Sequence, residues 1–195
     1  MRAFSIAPIL PLLLACNAVH LPAVSAYDFH LDASVTSDAN GVKGFNEAVK
    51  QWTTFTGIAI TSDEAPKACM ATPGCFNVYE VPQAELDTES GGSNFIGLTV
   101  PGAISVAAGL DYDALQDTMI HEMGHALGLM HPCAAPCSVQ AVMNPTYGAG
   151  EDHVACLDVA QFFSVRGLVV PTTVAPCTSA PGPLLLKRVL RAYDR

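Results

Sequence analysis

His121-Glu122-Met123-Gly124-His125-Ala126-Leu127-Gly128-Leu129-Met130-His131 reads H-E-x-x-H-x-x-G-x-x-H, and this run decides how the rest of the chain is interpreted. On a helix, His121 and His125 are four residues apart and project from one face. Two imidazoles so placed can share one metal ion. Gly128 lets the chain leave the helix through a left-handed turn that a side chain would resist. That turn returns His131 toward the ion as a third nitrogen ligand. Three protein ligands leave the fourth tetrahedral position open, the mark of a catalytic rather than a structural zinc. Glu122, next to the first ligand, is then placed to deprotonate a metal-bound water. A bare H-E-x-x-H arises on ordinary helices, but five fixed residue types at set offsets arise by chance on the order of 10⁻⁵ of the time in a chain this long.

Downstream, Ala141-Val142-Met143-Asn144-Pro145-Thr146-Tyr147 follows a loop. Together with the histidine run it resembles the Met-turn signature of the metzincin metallopeptidases. The M-x-P-x-Y pattern is most similar to the matrixin branch. That resemblance implies Met143 as a hydrophobic floor beneath the ion, with Pro145 and Tyr147 in the wall of a specificity pocket. The residue two places after the methionine is Pro145, so the tyrosine ligand of astacin-like enzymes has no counterpart.

Around the motif the pattern predicts an α+β, metzincin-like domain. It has a twisted mixed sheet, the active-site helix, and an irregular C-terminal part with one helix. Residues 27–33 read as a first strand. Phe45, Ala48, Val49, Trp52 and Phe55 fall at helical spacing, and Gly57 closes that helix. Residues 58–61, 76–81, 95–100 and 104–108 read as strands. Asp111 is a suitable N-cap for the histidine helix and Asp113 favours its positive end. Leu115, Met119, Met123 and Ala126 form its apolar stripe. A last helix is expected over 157–166, ahead of Gly167. By order and composition, residues 95–102 match the exposed strand with which matrixins line the cleft, an edge able to pair with an extended peptide.

A chain of 195 residues suits one domain with a sizeable core. Its formal charge of −9 argues against nucleic-acid binding. Lys187, Arg188, Arg191 and Arg195 crowd the end, so the body is more acidic still. Calcium is the second ion considered, at Asp111 and Asp113 or at Glu85, Asp87 and Glu89, although no D-x-D-x-D-G loop is present.

The first 26 residues read as an export signal: Arg2, a short apolar core, then Val24-Ser25-Ala26 before Tyr27. Alternatively, Leu13-Leu14-Ala15-Cys16 resembles a lipobox, which would anchor a surface lipoprotein at Cys16. No later segment qualifies as a membrane span. Cleavage before Tyr27 leaves Cys69, Cys75, Cys133, Cys137, Cys156 and Cys177, an even set suggesting up to three disulfides with fifteen full pairings. Cys133 or Cys137 is expected to tether the His131 loop, with a second metal site there as the rival. Residues 27–168 form the expected domain, and 169–195 a Pro-rich tail with a basic end. The cysteine-switch motif of matrixins is absent, and the histidines of their structural zinc have no clear counterparts; His153 reads as an ordinary surface residue.

The sequence reading is therefore a secreted, monomeric zinc endopeptidase acting on protein or peptide. Zn2+ is held by His121, His125 and His131, and Glu122 is the base. The alternative is a non-catalytic zinc-binding surface or interaction module, either free or anchored by a lipid at Cys16.

Overall fold

The computed structural model describes residues 24–70, 72–91, 95–132, 140–145 and 153–169. Its first strand, β1 (Ala26–Leu31), stops short of the expected end. Asp32 turns its carboxylate onto the Ser34 N–H at 2.9 Å and caps a short helix, α1 (Ala33–Thr36). Asp38 caps the next, α2 (Ala39–Thr56), and Gly57 ends it at φ 71°, a left-handed C-cap. The expected apolar face of α2 is the buried one: Phe45, Ala48 and Trp52 are in the core, with Val49 and Phe55 packed at its margin.

The remaining strands are β2 (Ala59–Asp63), β3 (Cys75–Val81), β4 (Gly97–Val100) and β5 (Ala103–Ala107). They form one sheet in the order β2-β1-β3-β5-β4. Pairing is parallel except between β4 and β5, so the sheet is mixed, as expected. A helix absent from the sequence reading, α3 (Gln83–Ser90), links β3 to β4 and buries only Leu86, against Val81 and Ala107. Then come α4 (Tyr112–Ala126), which carries the first two histidines, and α5 (Cys156–Ser164).

The core lies where α2 and α4 meet the sheet. Phe29 stacks on Phe76 and meets Phe45 edge-on, with ring centroids 5.7 and 6.0 Å apart. Val78, Ile104 and Val106 of the central strands face Leu115, Met119, Ile120 and Met123 of α4 within the same buried cluster. Each such side chain contributes roughly 1.5–3 kcal/mol on burial. Trp52 also donates its indole N–H to the Ile120 carbonyl at 2.9 Å. The helix bearing the histidines is thus pinned to α2 by packing and by a directed bond. Among the described residues no helix is long and apolar enough to cross a membrane.

Candidate metal centre

Asp111 accepts the Ala114 N–H at 2.9 Å and starts α4 as the sequence predicts. Its buried stripe is the expected Leu115, Met119, Met123 and Ala126, with Ile120 added. At the other end Leu127 is the C-cap and Gly128 takes φ 86°. That left-handed step lets the chain double back, closed by the Leu129 N–H on the Gly124 carbonyl at 3.0 Å. His131 then arrives beside the helix, its Nε2 3.1 Å from Nε2 of both His121 and His125. The three residues separated in sequence are thereby one cluster.

The other edge of each helical imidazole is fixed. His121 Nδ1 meets the Val142 carbonyl at 2.8 Å, and His125 Nδ1 meets the Leu129 carbonyl at 2.9 Å. A carbonyl can only accept, so each Nδ1 carries the proton and each Nε2 keeps a bare lone pair. Burial pushes His121 down to about 3 and His131 to about 4, and lowers His125 as well, so the rings are neutral. A neutral His131 has at most one proton on Nε2 and can satisfy only one of its two neighbours. The trio is therefore short of protons at its centre and suited to a cation. Zinc–nitrogen bonds of about 2.0–2.1 Å at tetrahedral angles set ligand nitrogens about 3.3 Å apart, close to the observed spacing. The residues fit a divalent ion.

Val142 and Met143 are held from behind by a residue the sequence reading passed over. Asp158 of α5, 1% exposed, accepts the N–H groups of Val142 at 3.0 Å, Met143 at 3.2 Å and Ala155 at 2.8 Å. Burial raises its carboxyl to about 6 against the opposing pull of those three donors. The Met143 N–H and the Val142 carbonyl belong to one peptide group. A single rigid plane therefore links the Asp158 carboxylate to His121 Nδ1. An acidic residue thirteen positions beyond the Pro145 turn was the available signal, read only as part of a helix.

Met143 is fully buried, its sulfur against Gly124 and near the Trp52 ring, where any side chain at position 124 would collide. Pro145 is half-buried at the end of the same turn. Tyr147, Cys133, Cys137 and the tail lie outside the described residues, as do the export segment before Val24 and Cys16.

Glu122 is held by the neighbouring strand. It is 5% exposed, and its carboxylate takes a hydrogen bond from Thr99 Oγ1 of β4 at 2.7 Å. Gly97 of the same strand lies so close to that side chain that a Cβ there would sit 2.5 Å from Oε1. Burial raises the Glu122 carboxyl to about 7. A second cluster of ligand atoms, from His30, Cys69 and Cys75, offers no catalytic alternative, because a disulfide joins its two cysteines. The endopeptidase assignment is corrected accordingly, and with it the general-base role of Glu122, the hydrolase and protease classes and a catalytic Zn2+. Calcium is corrected too. Asp111 is spent on the α4 cap, Asp87 accepts from Gln83 within α3, and no acidic cluster forms among the described residues.

No protein-family model matches the chain. No curated protein matches it. Among solved structures, archaemetzincin from Methanopyrus kandleri is similar at 18% identity and a TM-score of 0.33, over 88% of this chain and 99% of that one. That likeness is to the broad metzincin group, is too loose to carry an argument, and gives the matrixin branch no separate support.

Proposed function

We propose that the chain is a zinc-binding surface or interaction module, with His121, His125 and His131 as its ligands. The observation that carries this reading is the convergence of three neutral imidazoles, two of them with the proton fixed on the far nitrogen. Such a set holds zinc through nitrogen alone and leaves one tetrahedral position for a group from a partner. His131 is exposed, as is Met130 beside it, so that position opens toward solvent and toward an apolar side chain. The zinc helix, the left-handed Gly128 step and the buried Met143 are the features behind a matrixin-like fold over residues 27–168. Export, or an acyl anchor at Cys16, would present the module outside the cell.

The test uses the full chain. Zinc content by mass spectrometry should approach one ion per chain before any reduction and fall to background in His125→Ala. Neither protein should cleave a broad peptide library. Chelator-sensitive cleavage that vanishes in Glu122→Ala would overturn the non-catalytic reading, and failure to take up zinc would overturn the ligand set.

A further inference from the structure

A second set of donors meets at β1 and the start of β3. One ring nitrogen of His30 and the sulfurs of Cys69 and Cys75 lie within 4.8 Å of one another, and all three residues are buried. His30 is 0% exposed, and its Nδ1 lies 2.6 Å from Asp63 Oδ1. Its Nε2 is buried with no hydrogen bond: Asp28 Oδ2 is 3.0 Å away but outside bonding geometry. A carboxylate that fixes one ring N–H and leaves the other nitrogen bare is how proteins orient a metal-ligating histidine.

Charged groups of both signs flank the cluster. Lys67 Nζ stands 2.7 Å from Asp63 Oδ2 and 3.7 Å from Asp28 Oδ2, and Thr61 Oγ1 donates to Asp28 Oδ1 at 2.9 Å. Lys67 and His30 thus occupy Asp63, while Asp28 turns an oxygen toward the bare Nε2. A pocket of about 360 Å3 beside the cluster is lined by Asp28, Thr61, Lys67, Thr72, Gly74 and Cys75.

We propose that reduction of the Cys69–Cys75 disulfide opens a second metal site, in which both thiolates and His30 hold a zinc-class divalent cation and leave one position open. An external dithiol supplies the two electrons and leaves as its own disulfide. The S–S bond breaks and each cysteine takes up one proton as a thiol. Binding the cation then returns those two protons to solvent. With zinc–sulfur bonds of about 2.3 Å, the two sulfurs need to stand only about 3.8 Å apart. The Cα atoms, at 4.9 Å, already bring the two side chains to one point. Two thiolates match the ion's charge, and the Lys67 ammonium offsets one of the two flanking carboxylates, Asp28 and Asp63. Thiolate ligands select zinc-class ions over calcium and magnesium.

Cobalt(II) distinguishes this site from the histidine centre, because only thiolate ligands give an intense near-ultraviolet charge-transfer band. The full chain is titrated with cobalt before and after reduction by a phosphine, which leaves no competing thiol. Before reduction cobalt should bind the three histidines without that band. After reduction a further equivalent should bind with it. The band contributed by this pair should vanish in Cys69→Ser/Cys75→Ser, and affinity should fall about 10- to 100-fold in His30→Gln. The other cysteines are unchanged in every variant, so their signal subtracts. A band equally strong in the double variant, or no added cobalt on reduction, would overturn the proposal and leave His30 as the centre of an ion-pair cluster. Should the double variant also lose histidine-bound cobalt, His30→Gln decides alone, since its disulfide is intact until reduction.

Discussion

Replacing Asp158 by Asn tests the support behind the metal centre, because the substitution keeps the shape and removes the charge. The carboxylate serves three N–H donors through two oxygens. An amide places its one oxygen where Oδ2 stands, serving Val142 and Ala155, and turns its NH2 group toward the Met143 N–H, so one buried donor loses its partner. At roughly 1–3 kcal/mol for a stranded donor, the loss against a protonated Asp158, whose hydroxyl oxygen can still accept, is about 1–3 kcal/mol. Charge then works the other way. The folded carboxyl titrates at about 6 against 3.8, so its protonated form is favoured by folding. That stability is complete below pH 3.8 and is lost as pH rises to about 6. The shift of roughly two units amounts to about 3 kcal/mol. Denaturant unfolding of the metal-free chain should show wild type above Asp158→Asn by about 1–3 kcal/mol at pH 4, with that gap narrowed by about 3 kcal/mol, and so closed or reversed, at pH 7. In melting temperature the narrowing is roughly 6–12 °C. Zinc affinity at pH 7 should drop about 10- to 100-fold in the variant, since the peptide plane that orients His121 loses its anchor. A gap independent of pH would show that burial does not outweigh the three donors. Unchanged zinc affinity would show that Asp158 supports the turn without reaching the metal.

Four further outcomes follow from neighbouring contacts and from the ion itself. Gly124→Ala should destabilise by about 1–3 kcal/mol despite the helix preference for alanine, because its Cβ meets the Met143 sulfur and lies 3.0 Å from the Trp52 ring. Gly44→Ala in α2, where nothing comes nearer than 3.5 Å, should stabilise by about 0.5–1 kcal/mol; paired thermal melts separate the two. Trp52→Phe should lose about 1–3 kcal/mol by removing the indole N–H bond to the Ile120 carbonyl and leaving a void in the core, visible as a lower denaturant midpoint at unchanged slope. Zinc at about a thousand times its dissociation constant should raise the melting temperature by roughly 8–16 °C, an increment that a chelator removes and His125→Ala never shows.

Much of the fold was legible because it is written in periodicity and caps. The stripe of α2, the Asp111 cap, the Gly57 and Gly128 turns and the five strand segments all answer to local rules, and their ends moved by only a residue or two. The failures have local causes as well. Asp32 prefers to bond the Ser34 N–H, so β1 ends early and α1 begins. α3 is polar nearly all round and shows no stripe. It is held by Leu86 beneath it and by Gln83 Nε2 donating to the Phe95 carbonyl at 2.7 Å, contacts that do not register as a pattern in one segment.

The centre divides along the same line. The convergence of His121, His125 and His131 was legible because helix spacing and one positive-φ glycine fix all three within eleven residues. What surrounds them is set by other segments. Thr99 and Gly97, on a strand more than twenty residues earlier, decide where the Glu122 carboxylate goes. Val142, with Asp158 behind it, decides which nitrogen of His121 keeps its proton. A motif in one run can specify which atoms approach a point, since that follows from a single helix and its turn. The proton each atom carries, and the partner each carboxylate takes, depend on long-range packing. The metal-ligand reading therefore stands on the motif itself, while the role of Glu122 turns on β4, which the motif does not contain.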